Sequence, residues 1–150
     1  MTSRPQILPA AALLATIVAT SYMVVQLNGQ GAEAIDLRNA ATAELRDAQG
    51  QVVLSGTFML DDEADAEDVE RKAALQPTGA DADASGVAEV EFAKQAPAAQ
   101  EVEFSGRNLQ AGARYTLVLD GRDVTAGVAD RDGELELESD VPIPGATAAR

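Results

Sequence analysis

Three separate stretches of this chain alternate glutamate with an apolar residue, one for one. They are Ala88-Glu89-Val90-Glu91-Phe92, Glu101-Val102-Glu103-Phe104 and Glu134-Leu135-Glu136-Leu137-Glu138. A period of two puts successive side chains on opposite faces of an extended strand, and it does not fit the 3.6-residue period of a helix. Each stretch therefore has one face to bury and one to leave in water, the pattern of an antiparallel sheet covered on a single side. Tyr115, Leu117 and Leu119 alternate with Thr116 and Val118, and Ala41, Ala43 and Leu45 alternate with Thr42, Glu44 and Arg46. Val52, Leu54 and Phe58 are expected to point one way and Val53, Ser55 and Thr57 the other. Turn signals separate these runs at Ala48-Gln49-Gly50, Asp120-Gly121 and Asp130-Arg131-Asp132-Gly133. Arg71, Ala73 and Leu75 alternate with Lys72, Ala74 and Gln76, which suits a charged edge strand; a short helix stopped by Pro77 fits the same residues. Seven or eight short strands in about a hundred residues point to an antiparallel, Ig-like or Greek-key β-sandwich.

The N-terminal residues follow another rule. No charge falls between Arg4 and Glu33, and residues 7–27 are mostly apolar. A helix over 9–27 would rise about 28 Å at roughly 1.5 Å per residue, close to the hydrocarbon thickness of a bilayer. Pro9 suits its first turn, and Asn28, Gly29 and Gly31 supply a stop. The expectation is one N-terminal transmembrane helix. The alternative is a signal peptide cleaved near Ala32-Glu33-Ala34. Arg4 before the segment, with Glu33 and Asp36 after it, keeps the N-terminus cytoplasmic and exports the rest across a bacterial-type inner membrane into the periplasm. Ala11, Ala15 and Ala19 form a stripe of small residues along which another membrane helix could pack. The chain thus divides into an anchor and linker (1–34), an acidic β-sandwich domain (35–140) and a Pro/Gly/Ala-rich tail (141–150) that could lie extended along a partner.

Composition closes several chemistries. The formal net charge is −14, and all of it belongs to residues 35–150, because Arg4 and Glu33 cancel. A surface so acidic repels phosphates and argues against a nucleic-acid partner. The chain has no His, Cys or Trp, so it has no His-dependent triad, thiolate nucleophile, disulfide or zinc finger. Ser55, Ser85, Ser105 and Ser139 have no histidine base, the paired glutamates occupy out-facing positions, and no phosphate-binding glycine motif occurs. An enzyme is not expected. The one cofactor candidate is calcium. Asp81-Ala82-Asp83-Ala84-Ser85-Gly86 places oxygen donors at Asp81, Asp83 and Ser85 like the first half of a calcium loop, although the position that should carry the bidentate acid of an EF-hand is Phe92. A plain Asx-rich turn explains the same residues. Asp61 to Asp68 form a dense acidic run, either a solvated loop or a docking surface for a basic protein.

Leu109-Gln110-Ala111-Gly112-Ala113-Arg114-Tyr115 resembles the tyrosine corner of fibronectin type III and Ig-like sandwiches, with Ala111 where the pattern has Pro and no Trp in an early strand. That resemblance implies a structural hydrogen bond from the Tyr115 hydroxyl back to the preceding loop. Residues 79–106 are similar to chordin-type (CHRD) Greek-key domains, whose histidines this chain lacks, so no metal-dependent activity carries over. The function expected from these features is a non-catalytic, membrane-anchored periplasmic accessory subunit. It would be held against other subunits of a larger membrane complex, of the respiratory or photosynthetic kind. The alternative is a secreted sandwich module, calcium-binding, released by signal cleavage.

Overall fold

A computed structural model describes residues 35–60, 68–79, 81–93 and 99–142. The described chain is all-β and antiparallel. A 3₁₀ turn at Leu37–Asn39 precedes β1 (Thr42–Asp47), β2 (Val52–Thr57), β3 (Met59–Leu60), β4 (Asp68–Pro77) and β5 (Ser85–Ala93). Then follow β6 (Ala99–Arg107), β7 (Arg114–Leu119), β8 (Arg122–Val128) and β9 (Leu135–Pro142). The hydrogen-bonded order is β8-β7-β1-β2-β4-β5-β6-β9, with β3 also on β4. One group of strands, β8-β7-β1-β2, passes into the other, β4-β5-β6-β9, through the end of β4, where Leu54 and Ser55 pair with Pro77 and Gln76. The result is a sandwich-like sheet curled nearly into a barrel. Among the described residues no helix is long and apolar enough to cross a membrane.

The alternating stretches become β5, β6 and β9, with their apolar members inside. Val90, Val102, Phe104, Leu135 and Leu137 join Leu45, Leu54, Leu75, Leu117 and Leu119 in one buried cluster drawn from both strand groups. Each such aliphatic side chain removed from water contributes about 1.5–3 kcal/mol. Phe104 fills the middle of this core, and two neighbours make room for its ring. A Cβ on Gly86 would come within 2.7 Å of the Phe104 ring and one on Gly106 within 2.8 Å, so both positions need glycine.

Local chemistry sets the turns. In Asp47-Ala48-Gln49-Gly50 the Asp47 Oδ1 accepts the N–H groups of Gln49 and Gln51 at 2.9 and 2.8 Å, and Gly50 has φ 79°. Asp130-Arg131-Asp132-Gly133 repeats the arrangement: Asp130 Oδ1 accepts from Asp132 and Glu134 at 2.8 and 2.9 Å, with Gly133 at φ 78°. The β7–β8 turn uses positive φ at both Asp120 (47°) and Gly121 (79°), which matches the twist of the flanking strands.

Three expectations change. The strand over residues 71–76 is present within β4, but β4 is central: β2 and β3 pair on one side and β5 on the other. Its outward charges are tolerated because its solvent face, not its edge, carries them. Val53 and Leu54 do not face opposite ways. The ladder slips where Leu45 opposes Leu54 and Arg46 opposes Val52, so Val53 is the extra residue of a bulge and both side chains are buried. Finally, Val141 and Pro142 belong to β9 instead of the tail, and Val141 is buried. Among the described residues β9 is an outer strand bonded only to β6, so a proline at its last ladder position breaks no further ladder.

Candidate functional site

Register, more than composition, builds the most distinctive surface. Pairing of β4, β5, β6 and β9 lines up Glu70, Glu91, Glu101 and Asp140 in one row across four strands. The adjacent row is Lys72, Glu89, Glu103 and Glu138, and Glu136 stands opposite Ser105 in the next. All share the parity opposite to the buried Val90, Val102 and Phe104, so they form the outer face of the sheet. Lys72 bridges Glu70 at 2.7 Å and Glu89 at 3.6 Å. Glu103 lies at the centre. Partial desolvation first, and then the charges of Glu101, Glu89, Glu138 and Glu91, raise its carboxyl above the ordinary 4.5. Like charges placed directly opposite one another across strands are destabilising. The fold therefore keeps this face at a cost in stability.

A second feature is the end of the barrel where the chain enters. Gln100 is fully buried, the one buried polar residue among those described. Its Oε1 accepts the Leu37 N–H at 2.7 Å, and its Nε2 donates to the Ile35 carbonyl at 2.7 Å. Arg71 points inward from β4; its Nη1 donates to the Arg38 carbonyl at 3.0 Å, and its guanidinium lies 5.9 Å from the Phe58 ring centroid. Within this entering strap, Ile35 to Ala40, Asp36 accepts from the Arg38 main-chain N–H and from the Arg38 guanidinium. That guanidinium holds the Asp36 carboxyl below its usual value. Neither Gln100 nor Arg71 stands out by residue type. Their parity, shared with Val102 and Phe104 and with Ala73 and Leu75, is the signal that places both inside.

Among the described residues the barrel is unpaired between its outermost strands, β8 and β9. At one end they meet closely, where a Cβ on Gly127 would come within 2.6 Å of Leu137. At the other they diverge around a groove of about 390 Å³ lined by Ile35, Arg122, Asp123, Val124, Ser139 and Val141. The ladder slips where Leu117 opposes Thr125 and Val118 opposes Asp123, making Val124 a bulge residue that bends β8 at this point.

The expected site residues distribute as follows. Tyr115 is 4% exposed, and its hydroxyl accepts the Gln110 N–H at 3.0 Å, the geometry of a tyrosine corner. Asp81 and Asp83 lie between β4 and β5, and Ser85 is the first residue of β5. There the Ser85 hydroxyl accepts from Arg107 Nε at 3.1 Å, and the Asp83 carbonyl accepts from Asn108 Nδ2 at 3.0 Å. Among the described residues no group of three or more acids is arranged to hold a metal ion. Ala11, Ala15 and Ala19, the segment 7–27, the candidate cleavage site and residues 61–67 of the acidic run lie outside the described residues. Compared with known proteins, the chain matches no family model, no curated protein and no solved structure.

Proposed function

We propose that this protein is a non-catalytic accessory subunit, anchored in the membrane by residues 7–27, whose exported β-domain docks on the basic surface of a larger membrane assembly. The observation that supports it is the acidic face of β4, β5, β6 and β9. Same-sign carboxylates in register across four strands cost stability within the domain, and a basic partner would convert that cost into attraction. Such a face is repelled by anionic lipid, which favours a protein partner over the bilayer surface. The reach of the chain fits as well. Seven residues, 28–34, separate the expected span from Ile35, and they extend at most about 25 Å, which keeps the domain close to the membrane.

The test is extraction of the full chain in mild detergent at low and high salt, followed by native sizing and identification of what co-purifies. The expected result is migration in a large complex, dissociated by about 0.5 M salt as screening weakens the contact. Combined charge reversal, Glu89→Lys with Glu103→Lys, should dissociate it as well. A free monomer at low salt overturns the proposal. A mature chain beginning at Ile35 by intact mass replaces the anchor with the secreted alternative.

A further inference from the structure

We propose that the entrance end of the barrel is a peptide-binding site, and that the chain's own residues Ile35 to Ala40 occupy it in cis. This inference is independent of the membrane anchor and of the acidic face.

The strap is not a strand of the sheet, yet it is read as a bound peptide would be. Gln100 grips it through two main-chain groups, the Ile35 carbonyl and the Leu37 N–H, two residues apart. Arg71 grips a third, the Arg38 carbonyl, and its buried Nε has no hydrogen-bond partner among the described residues, which leaves a donor available to an occupant with another acceptor. Two side chains of the strap are sunk, Leu37 and Ala40, each 1% exposed, and Ile35 packs half-buried against the same core, whereas Arg38 and Asn39 face solvent. Asp36 spends its carboxylate on Arg38, inside the strap itself. The barrel thus recognises main-chain groups and the apolar side chains of Ile35, Leu37 and Ala40, and its two polar grips, Gln100 and Arg71, fall on main-chain groups. A site of that kind accepts a short segment with aliphatic residues two positions apart followed, three positions on, by a small one.

The geometry also lets the strap leave without unravelling the sheet. Beyond Ala40 the chain is fastened separately, because Asp120 Oδ1 accepts the N–H groups of Ala41 and Thr42 at 3.0 and 2.8 Å. Tethering gives the strap the advantage of high effective concentration over a free peptide. A competitor's apparent affinity then falls by the fraction of molecules whose site is vacant.

The probe is a dye-labelled peptide of the strap, Ile-Asp-Leu-Arg-Asn-Ala, blocked at both ends and titrated into the full chain by fluorescence anisotropy. Two variants weaken the cis occupant and leave the barrel wall intact: Leu37→Gly and Ala40→Asp. Both should bind the peptide at least tenfold more tightly than the wild type, and adding Gln100→Ala to either should abolish binding. Equal affinity for the wild type overturns the proposal. So does absence of binding to variants that still melt cooperatively. Global unfolding of both variants also overturns it, because the strap would then be part of the cooperative core and not an occupant.

Discussion

The side-chain oxygen of Gln100 accepts the main-chain N–H of Leu37 at 2.7 Å across 63 residues of sequence, and the same amide's nitrogen serves the Ile35 carbonyl. One buried side chain satisfies a donor and an acceptor that no strand partner could reach. Gln100→Leu keeps the volume but orphans both groups. Each unsatisfied buried group costs about 1–3 kcal/mol, so the variant should lose about 2–4 kcal/mol. Urea denaturation followed by circular dichroism measures it. A loss under about 0.5 kcal/mol would show that water takes over both bonds.

Tyr115→Phe removes only a hydroxyl. The Gln110 N–H loses its acceptor, but Gln110 is exposed and water can replace it. The expected loss is about 0.5–1.5 kcal/mol, smaller than that of Gln100→Leu. Faster amide exchange at Gln110 should accompany it.

Gly86→Ala and Gly106→Ala should each destabilise by about 1–3 kcal/mol, because the added methyl meets the Phe104 ring. Combining Gly86→Ala with Phe104→Leu should cost less than the sum of the separate changes. Strict additivity in a double-mutant cycle would contradict the packing described here.

Glu103 on the outer face and Asp130 in its turn give stability opposite dependences on pH. Glu103 has its carboxyl raised in the folded state, chiefly by desolvation and then by its glutamate neighbours. The folded state thus binds more protons than the unfolded one just above 4.5, and stability rises as pH falls through that window. Asp130 behaves oppositely. Main-chain N–H groups of Glu134 and Asp132 hold its carboxyl below 3.8, so its contribution is lost as pH falls beneath that value. Thermal melts should therefore show the midpoint rising from pH 7 toward about 4.5 and falling below about 3.8. Glu103→Gln should raise the midpoint at pH 7 by the equivalent of about 0.5 kcal/mol and flatten the rise on acidification. A midpoint that falls steadily from pH 7 downward would contradict this account.

Much of the fold was legible from period alone. Val90, Val102, Leu117 and Leu137 fall on the buried face that alternation assigns them, and the two Asp-x-x-Gly turns form where their residues demand. The acidic character of the solvent face was equally legible, since Glu89, Glu91, Glu101 and Glu103 occupy the complementary parity. The bulge at Val53 was not, because a ladder slip depends on the partner strand and leaves the hydrophobic pattern of β2 unchanged. Nor was the central place of β4, because alternation reveals a strand's faces and says nothing of which edges are taken.

The amino-acid sequence by itself determined the alternating stretches that become β1, β5, β6, β7 and β9, most of the side chains they turn inward, and the glutamates on the outward face of β5, β6 and β9. These are local consequences of a two-residue period and of turn chemistry, and they need no knowledge of distant partners. Only the tertiary structure decided which strands are neighbours. That choice set Glu70, Glu91, Glu101 and Asp140 in one row, gave Arg107 to Ser85 and brought Gln100 to Leu37. The physical reason is that strand pairing, once closed around a common core, fixes contacts between residues dozens of positions apart. Both the acidic face and the clamp on the strap arise from that closure.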